Sequence, residues 1–479
     1  MTLRGLRSPR SWLVVAFAVV AFGWLSVWVL FFRVGTDVCG DASPTDEELF
    51  RCGSIGAEPQ LGVPYWIWVV LPDVFPEYLP GPGGYESVGI IWEDGASTPI
   101  GVPVVEIGEM QRAGINCALC HTSSYRVTAE SEPVIVLGGG SQRFDLQGYL
   151  RFLFKSSSDP RFTAGVLIPA IEEVHELSTA ERLLYQAAIP AMRGALKSQS
   201  EDFAFADRNP DWGPGRIDPF NPIKFGLLGQ PEDETIGNSD MMPLWNLGGR
   251  EVLHWDGLNS SLTEVILSSA IGDGARPKTL DLAVMARLER YILELEVPAY
   301  PFEVDDELAA AGAALFQTHC AACHGLDGEQ TGLVVLPGEV GTDQERLGMW
   351  EQKDADAYNE KYGGYDWGFS SFQDIDGYVA VPLDGLWLRA PYLHNGSVPT
   401  LRDLLELPAL RPTSFYRGYD VYDPEQVGFV SDVAEDAESG LVFFLYDTTL
   451  RGNSNQGHLW GTELSANQKD ALLEYLKTQ

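Results

Sequence analysis

The chain has 479 residues, 45% hydrophobic and 21% charged, the profile of a folded protein of roughly two to four domains rather than a disordered one. Lys and Arg total 32 against 68 Asp and Glu, a formal charge of −36. That charge excludes nucleic acid as a partner and argues against anionic lipid binding by the soluble part; it suits a highly soluble surface or a basic partner protein.

In chain order, Trp12 to Phe32 is an uncharged apolar run of roughly twenty residues, long enough to cross a bilayer. Arg4, Arg7 and Arg10 precede it, so residues 1–11 are expected in the cytoplasm and the chain after Arg33 outside. The run is longer than the core of a cleaved signal peptide, and Phe31-Phe32-Arg33 is a poor cleavage site. Residues 12–32 therefore predict an uncleaved, single-pass anchor in a bacterial inner membrane, with the bulk of the chain in the periplasm. Cys39 and Cys52 lie close together just beyond it and suit a disulfide in that oxidising compartment.

Residues 39–101 are rich in Pro, Gly and aromatics and predict irregular structure with a few short strands. The stretch after Val105 carries weak helical periodicity into Cys117-Ala-Leu-Cys-His121. Phe144, Leu146, Tyr149, Leu150, Leu153 and Phe154 fit one helix face. Ser178-Thr-Ala-Glu181 is a capping box opening a helix that Pro190 is expected to kink or end. A turn-rich span, 201–250, precedes one helix starting near Ser261 and another from about Leu280 to Leu295. Pro298-Ala-Tyr-Pro301 is a stiff connector and divides the chain into domains 33–297 and 298–479. Asp305 is a plausible N-cap for the Ala-rich helix running into Cys320. Ser465-Ala-Asn-Gln468 opens a last helix with an apolar stripe of Leu472, Leu473 and Leu476.

Cys117-Ala-Leu-Cys-His121 and Cys320-Ala-Ala-Cys-His324 are two copies of the attachment signal for c-type haem. Two thiols at this spacing bond the two vinyl-derived carbons of one porphyrin, and the following histidine reaches the iron. The two runs use four of the six cysteines. A zinc site needs two such pairs close together, but these lie roughly two hundred residues apart. A thioredoxin-type pair has no need of the trailing histidine. Two covalently bound haem c groups are the expected cofactors, with Cys117, Cys120, His121, Cys320, Cys323 and His324 holding them. The span 341–377 is too long for a simple loop and reads as an insertion over the haem.

The far side of each iron decides the chemistry: a second ligand gives an electron carrier, and an open position admits peroxide or dioxygen. Of the other histidines, His319 cannot easily turn back to the iron beside it, and His175 sits in an acidic segment. His254 approaches the first haem or fills a structural role. His394 and His458 are better placed, within the second domain. Met241, Met242 and Met349 are formally possible ligands but fit core or surface better.

Ala390-Pro-Tyr-Leu-His-Asn-Gly-Ser-Val-Pro-Thr-Leu401 resembles the bacterial di-haem cytochrome c peroxidase superfamily, most nearly the branch containing the di-haem rubber oxygenase. Gly114 to Thr122, Leu253-His-Trp-Asp-Gly257, Val340-Gly-Thr-Asp343, Pro382 to Trp387 and Gly452-Asn-Ser-Asn-Gln-Gly-His458 carry the same resemblance. It implies a mainly α fold with extensive irregular segments, as two cytochrome-c-like haem domains behind the transmembrane helix. It implies His458 as second ligand of the second haem, His394 as a haem neighbour that does not bind iron, and no protein ligand opposite His121. Trp255 would relay electrons or simply fill the core. Arg389 stands where the peroxidases place a calcium-site threonine, which puts calcium in doubt. The metal ligands expected are thus His121, His324 and His458, with the catalytic residues of the first pocket unassigned. Three functions follow: peroxide or dioxygen activation at an open first haem, electron transfer alone with both haems six-coordinate, or cleavage of an apolar alkene such as a polyisoprenoid. The expected partner is an electron-donor or acceptor protein, for example a small basic cytochrome or cupredoxin.

Overall fold

A computed structural model describes residues 34–37, 39 and 43–479. Trp12 to Phe32, the expected anchor, lies outside them. Among the described residues no helix is long and apolar enough to cross a membrane.

The first domain opens with a strand, Val34–Asp37, followed by a helix, Asp46–Cys52, in the span expected to be irregular. Its start is a capping box: the Thr45 hydroxyl accepts from the Glu48 N–H, and the Glu48 carboxylate accepts from the Thr45 N–H. The Cys39–Cys52 disulfide ties down its far end. The helix packs on Leu282–Glu294, with Phe50 against Tyr291 at 5.2 Å. Asp46 bridges Arg287 and Arg290, at 2.6 Å to each.

The stretch after Val105 is not helical. Val104–Ile107 and Met110–Ala113 form an antiparallel hairpin at the centre of a four-stranded sheet. Gly108, at φ 67°, supplies the left-handed residue of its two-residue turn. The hairpin delivers the chain directly to Cys117.

A helical layer, made of Tyr65–Val74, Leu146–Ser158, Ala164–Val174 and Thr179–Asp202, packs beside this sheet around Trp68, Phe152, Leu167 and Ile189. The last of these helices passes through Pro190 instead of ending there. Both Pro190 and Gln186 are exposed, so the Gln186 carbonyl, whose partner the proline removes, faces water.

In the second domain Asp306–His319 crosses the terminal helix Ala466–Leu476. Gly312 makes the crossing possible, since a Cβ there would lie 2.0 Å from the Ala471 carbonyl oxygen. Phe316 meets Tyr475 at 5.0 Å, and Leu472, Leu473 and Leu476 are buried. Each such leucine contributes roughly 2 kcal/mol by leaving water. First helix against last helix thus recurs within residues 46–294 and 306–476.

The 341–377 span does not simply cover the haem motif of its own domain. Its helix Gln352–Tyr362 and the following Phe369 and Phe372 join the core of the first domain, with Phe220, Leu258 and Leu267. Glu264 fastens it: its carboxylate accepts from the N–H and hydroxyl of both Ser370 and Ser371 at 3.0–3.1 Å. The Tyr358 and Ser268 hydroxyls pair at 2.9 Å. Short-range periodicity reports that a segment is amphipathic but not which core receives it.

Candidate haem sites

Cys117–Cys120 forms one helical turn. Asn116 caps it, accepting from the Ala118 N–H and donating to the Phe50 and Gly53 carbonyls. His121 follows, and its Nδ1–H donates to the Met242 carbonyl at 2.8 Å. A carbonyl only accepts, so Nδ1 carries the proton and Nε2 keeps its lone pair. The second motif repeats this construction. Asp306–His319 ends at Cys320, Ala321–His324 makes one turn, and His324 Nδ1–H donates to the Val381 carbonyl at 2.8 Å.

The four thiols do not resemble a redox pair. Burial pushes Cys117 up to about 12 and Cys320 up to about 11, with neighbouring negative charges adding to each. Burial also raises Cys120 and Cys323. Reactive Cys-x-x-Cys pairs need the opposite shift. Burial depresses His121 to about 4, which leaves its imidazole neutral and able to ligate.

The two sites differ opposite the proximal histidine. His458 faces His324, with ring centroids 6.3 Å apart and planes at 39°. A metal-bound imidazole nitrogen sits about 2 Å from its metal, so two rings on opposite sides of one ion have centroids roughly 6 Å apart. Burial first, then the charges of His324 and Arg411, lowers His458 to about 3 and leaves it neutral. Among the described residues no ring pairs with His121 in this way. Cys117, Cys120, His121, Cys320, His324 and His458 each keep some accessible surface although burial dominates their titration. The donor set at each of these two sites, or recesses, fits a haem.

Long-range contacts hold His458, which has φ 49°. Its N–H donates to Val340, and Gly457, at φ 79°, leaves no room for a Cβ against Gly341. Asn395 and Ser397, from the Pro-Tyr-Leu-His motif, donate to the carbonyls of Gly452 and Ser454. Arg411 is buried and gives its donors to five carbonyls, those of Leu404, Glu406, Asn455, Gly457 and His458. Sequence reading missed Arg411, because a lone arginine between prolines carries no motif.

The other expected residues fall elsewhere. His394 is buried and stacks on Tyr378 at 3.9 Å; its Nε2 has no hydrogen-bond partner, and its ring pairs with none of the proximal histidines. Its carbonyl accepts from the Asp240 N–H, and the Asp240 carbonyl accepts from Trp255 Nε1, so His394 and Trp255 join one bridge between the domains. His254 packs on Phe220 at 5.3 Å with Nε2 unpartnered. His319 pairs with Glu463 at 3.2 Å, and His175 stacks on Trp66 at 4.2 Å. Met241 and Met349 are core residues, and Met242 acts through its carbonyl. Arg389 is set deep beside His324.

Each of the two motifs has the local form of a c-type haem attachment turn. Comparison with known proteins agrees: residues 309–374 match the cytochrome c family, and residues 377–416 match a family described as RoxA-like, cytochrome c-like. These matches imply covalently bound haem c with its iron, and haem-based electron transfer or oxidoreductase activity. They support a haem cytochrome related to RoxA. The chain is also similar to two uncharacterized proteins of Sinorhizobium fredii. One, y4iM, is 29% identical over 302 residues, covering 54% of this chain and 69% of that protein. The other, y4iJ, is 25% identical over 479 aligned positions, covering 76% of each.

Proposed function

We propose that the chain is a di-haem c-type oxidoreductase with an electron-carrying site built by His324 and His458 and a reaction site built by His121. Haem iron supplies one-electron chemistry at both sites, and peroxide or dioxygen activation where its second axial position is open. The observation that carries this reading is the asymmetry: a histidine faces His324 at 6.3 Å, and among the described residues none faces His121. The residues do the rest. The Met242 and Val381 carbonyls orient the proximal rings, Arg411 with Asn395 and Ser397 presents His458, and the inserted helix Gln352–Tyr362 covers the first-domain core. Trp255, hydrogen-bonded into the bridge that includes His394, is the relay this reading assigns between the sites.

Residues 12–32 anchor this protein in the inner membrane, facing the periplasm, and a basic redox protein serves the acidic surface. Cleavage of an apolar alkene is the oxygenase version of the same site and draws on the resemblance alone. Cyanide added to the oxidised protein is expected to change the spectrum of one haem of the two. Spectra unchanged by both cyanide and peroxide leave only electron transfer. Oxygen uptake with a polyisoprene emulsion tests the oxygenase version.

A further inference from the structure

Two buried guanidiniums beside the second motif have one carboxylate, Asp384, between them. Burial disfavours the charge of both Arg389 and Arg250, and Arg250 adds to the effect at Arg389. Both keep some accessible surface, as His324 and His458 do. Nε of Arg389 and both Nε and Nη2 of Arg250 are buried without an acceptor. Asp384 is the one carboxylate acting on both, and among the described residues neither arginine forms an ion pair. Guanidinium groups stay protonated in proteins, and two unmatched buried charges are costly.

The place of Arg389 is fixed by the segment 381–385, which also holds the proximal histidine. The Val381 carbonyl accepts from His324, the Pro382 carbonyl accepts from Arg389 Nη1 at 2.7 Å, and the Asp384 carbonyl accepts from Arg389 Nη2 and from Trp245 Nε1. Gly385, at φ 62°, leaves no room for a Cβ against Trp245, so the segment is braced. A porphyrin attached through its vinyl-derived edge to Cys320 and Cys323 carries two carboxylates on the opposite edge. Carboxylates are the ligands a guanidinium fork fits best.

We propose that Arg250 and Arg389 form the carboxylate-binding subsite of the second recess, receive the haem propionates there, and raise the reduction potential of that haem. The inference rests on reading the second recess as a haem site. The charge effect follows from Coulomb's law: reduction removes one positive charge from the iron, so nearby cations favour the reduced state.

Potentiometry on the full-length holoprotein, followed optically, tests it. The second haem is identified as the one whose band H458A displaces, and pyridine haemochrome counts covalent haem. R250Q and R389Q are each expected to lower the potential of the second haem and leave the first unmoved, with R389K lowering it less than R389Q. Should R389Q fail to accumulate, R250Q decides, because Nε and Nη2 of Arg250 donate no hydrogen bond to a described residue. An unmoved or raised second potential in R250Q, or an equal shift of both haems, overturns the subsite while leaving the di-haem reading intact. Loss of haem from Cys320 in the wild type overturns both.

Discussion

His121 and His324 each hand an Nδ1–H to a backbone carbonyl at 2.8 Å, and each follows a cysteine pair on one helical turn. The two recesses diverge on the other side. The second is completed by His458, which enters from a loop whose carbonyls are gathered by Arg411. The first has no facing ring among the described residues. The inserted segment with helix Gln352–Tyr362 instead joins the core against which Cys117 packs, fastened by Glu264. The proximal half of a haem site is thus local and repeated, while the distal half is assembled from remote chain and can be changed independently.

Removing His458 should abolish the difference. H458A is expected to convert the second haem from low-spin to high-spin, read by its Soret and near-infrared bands, and an unchanged spectrum would remove His458 as a ligand. R411A should do the same in part. It leaves five carbonyls without their donor, including those of Asn455, Gly457 and His458, at a cost of about 3 kcal/mol, seen as a lower melting temperature with mixed spin at the second haem only. A full loss of first-haem signal instead would break the comparison.

E264A acts on the other recess. It removes the carboxylate that accepts from Ser370 and Ser371, costs about 2 kcal/mol, and should speed cyanide binding at the first haem without altering the second. Asp273 gives the smallest effect. Its carboxyl, beside Cys117 and Cys120, is pushed by burial from 3.8 to about 7. The folded state therefore holds a proton that the unfolded chain has lost, and stability declines as pH rises from about 4 to 7. D273N should flatten that decline by about 1 kcal/mol in thermal melts at pH 5 and pH 8, and parallel melts in both proteins would contradict it.

The legible parts were those specified by neighbours in sequence. The two Cys-x-x-Cys-His turns, the caps at Ser178, Asp305 and Ser465, the helix start near Ser261, and the stripe of Leu472, Leu473 and Leu476 need only a few adjacent residues. The Thr45-to-Glu48 capping box was equally legible but overlooked among the prolines and glycines that follow it. The hairpin at Val104–Ala113 was misread because a short apolar run fits either period, and only its partners in the sheet decide. His458 was reached through resemblance, not through spacing. Arg411, the Arg250–Arg389 pair and the docking of 352–372 were illegible because each depends on which distant carbonyls or cores the fold brings together.

Low-temperature EPR of the oxidised full-length protein tests the asymmetry between the recesses most directly. One low-spin and one high-spin ferric signal of equal weight is the predicted result. Two low-spin signals would contradict it.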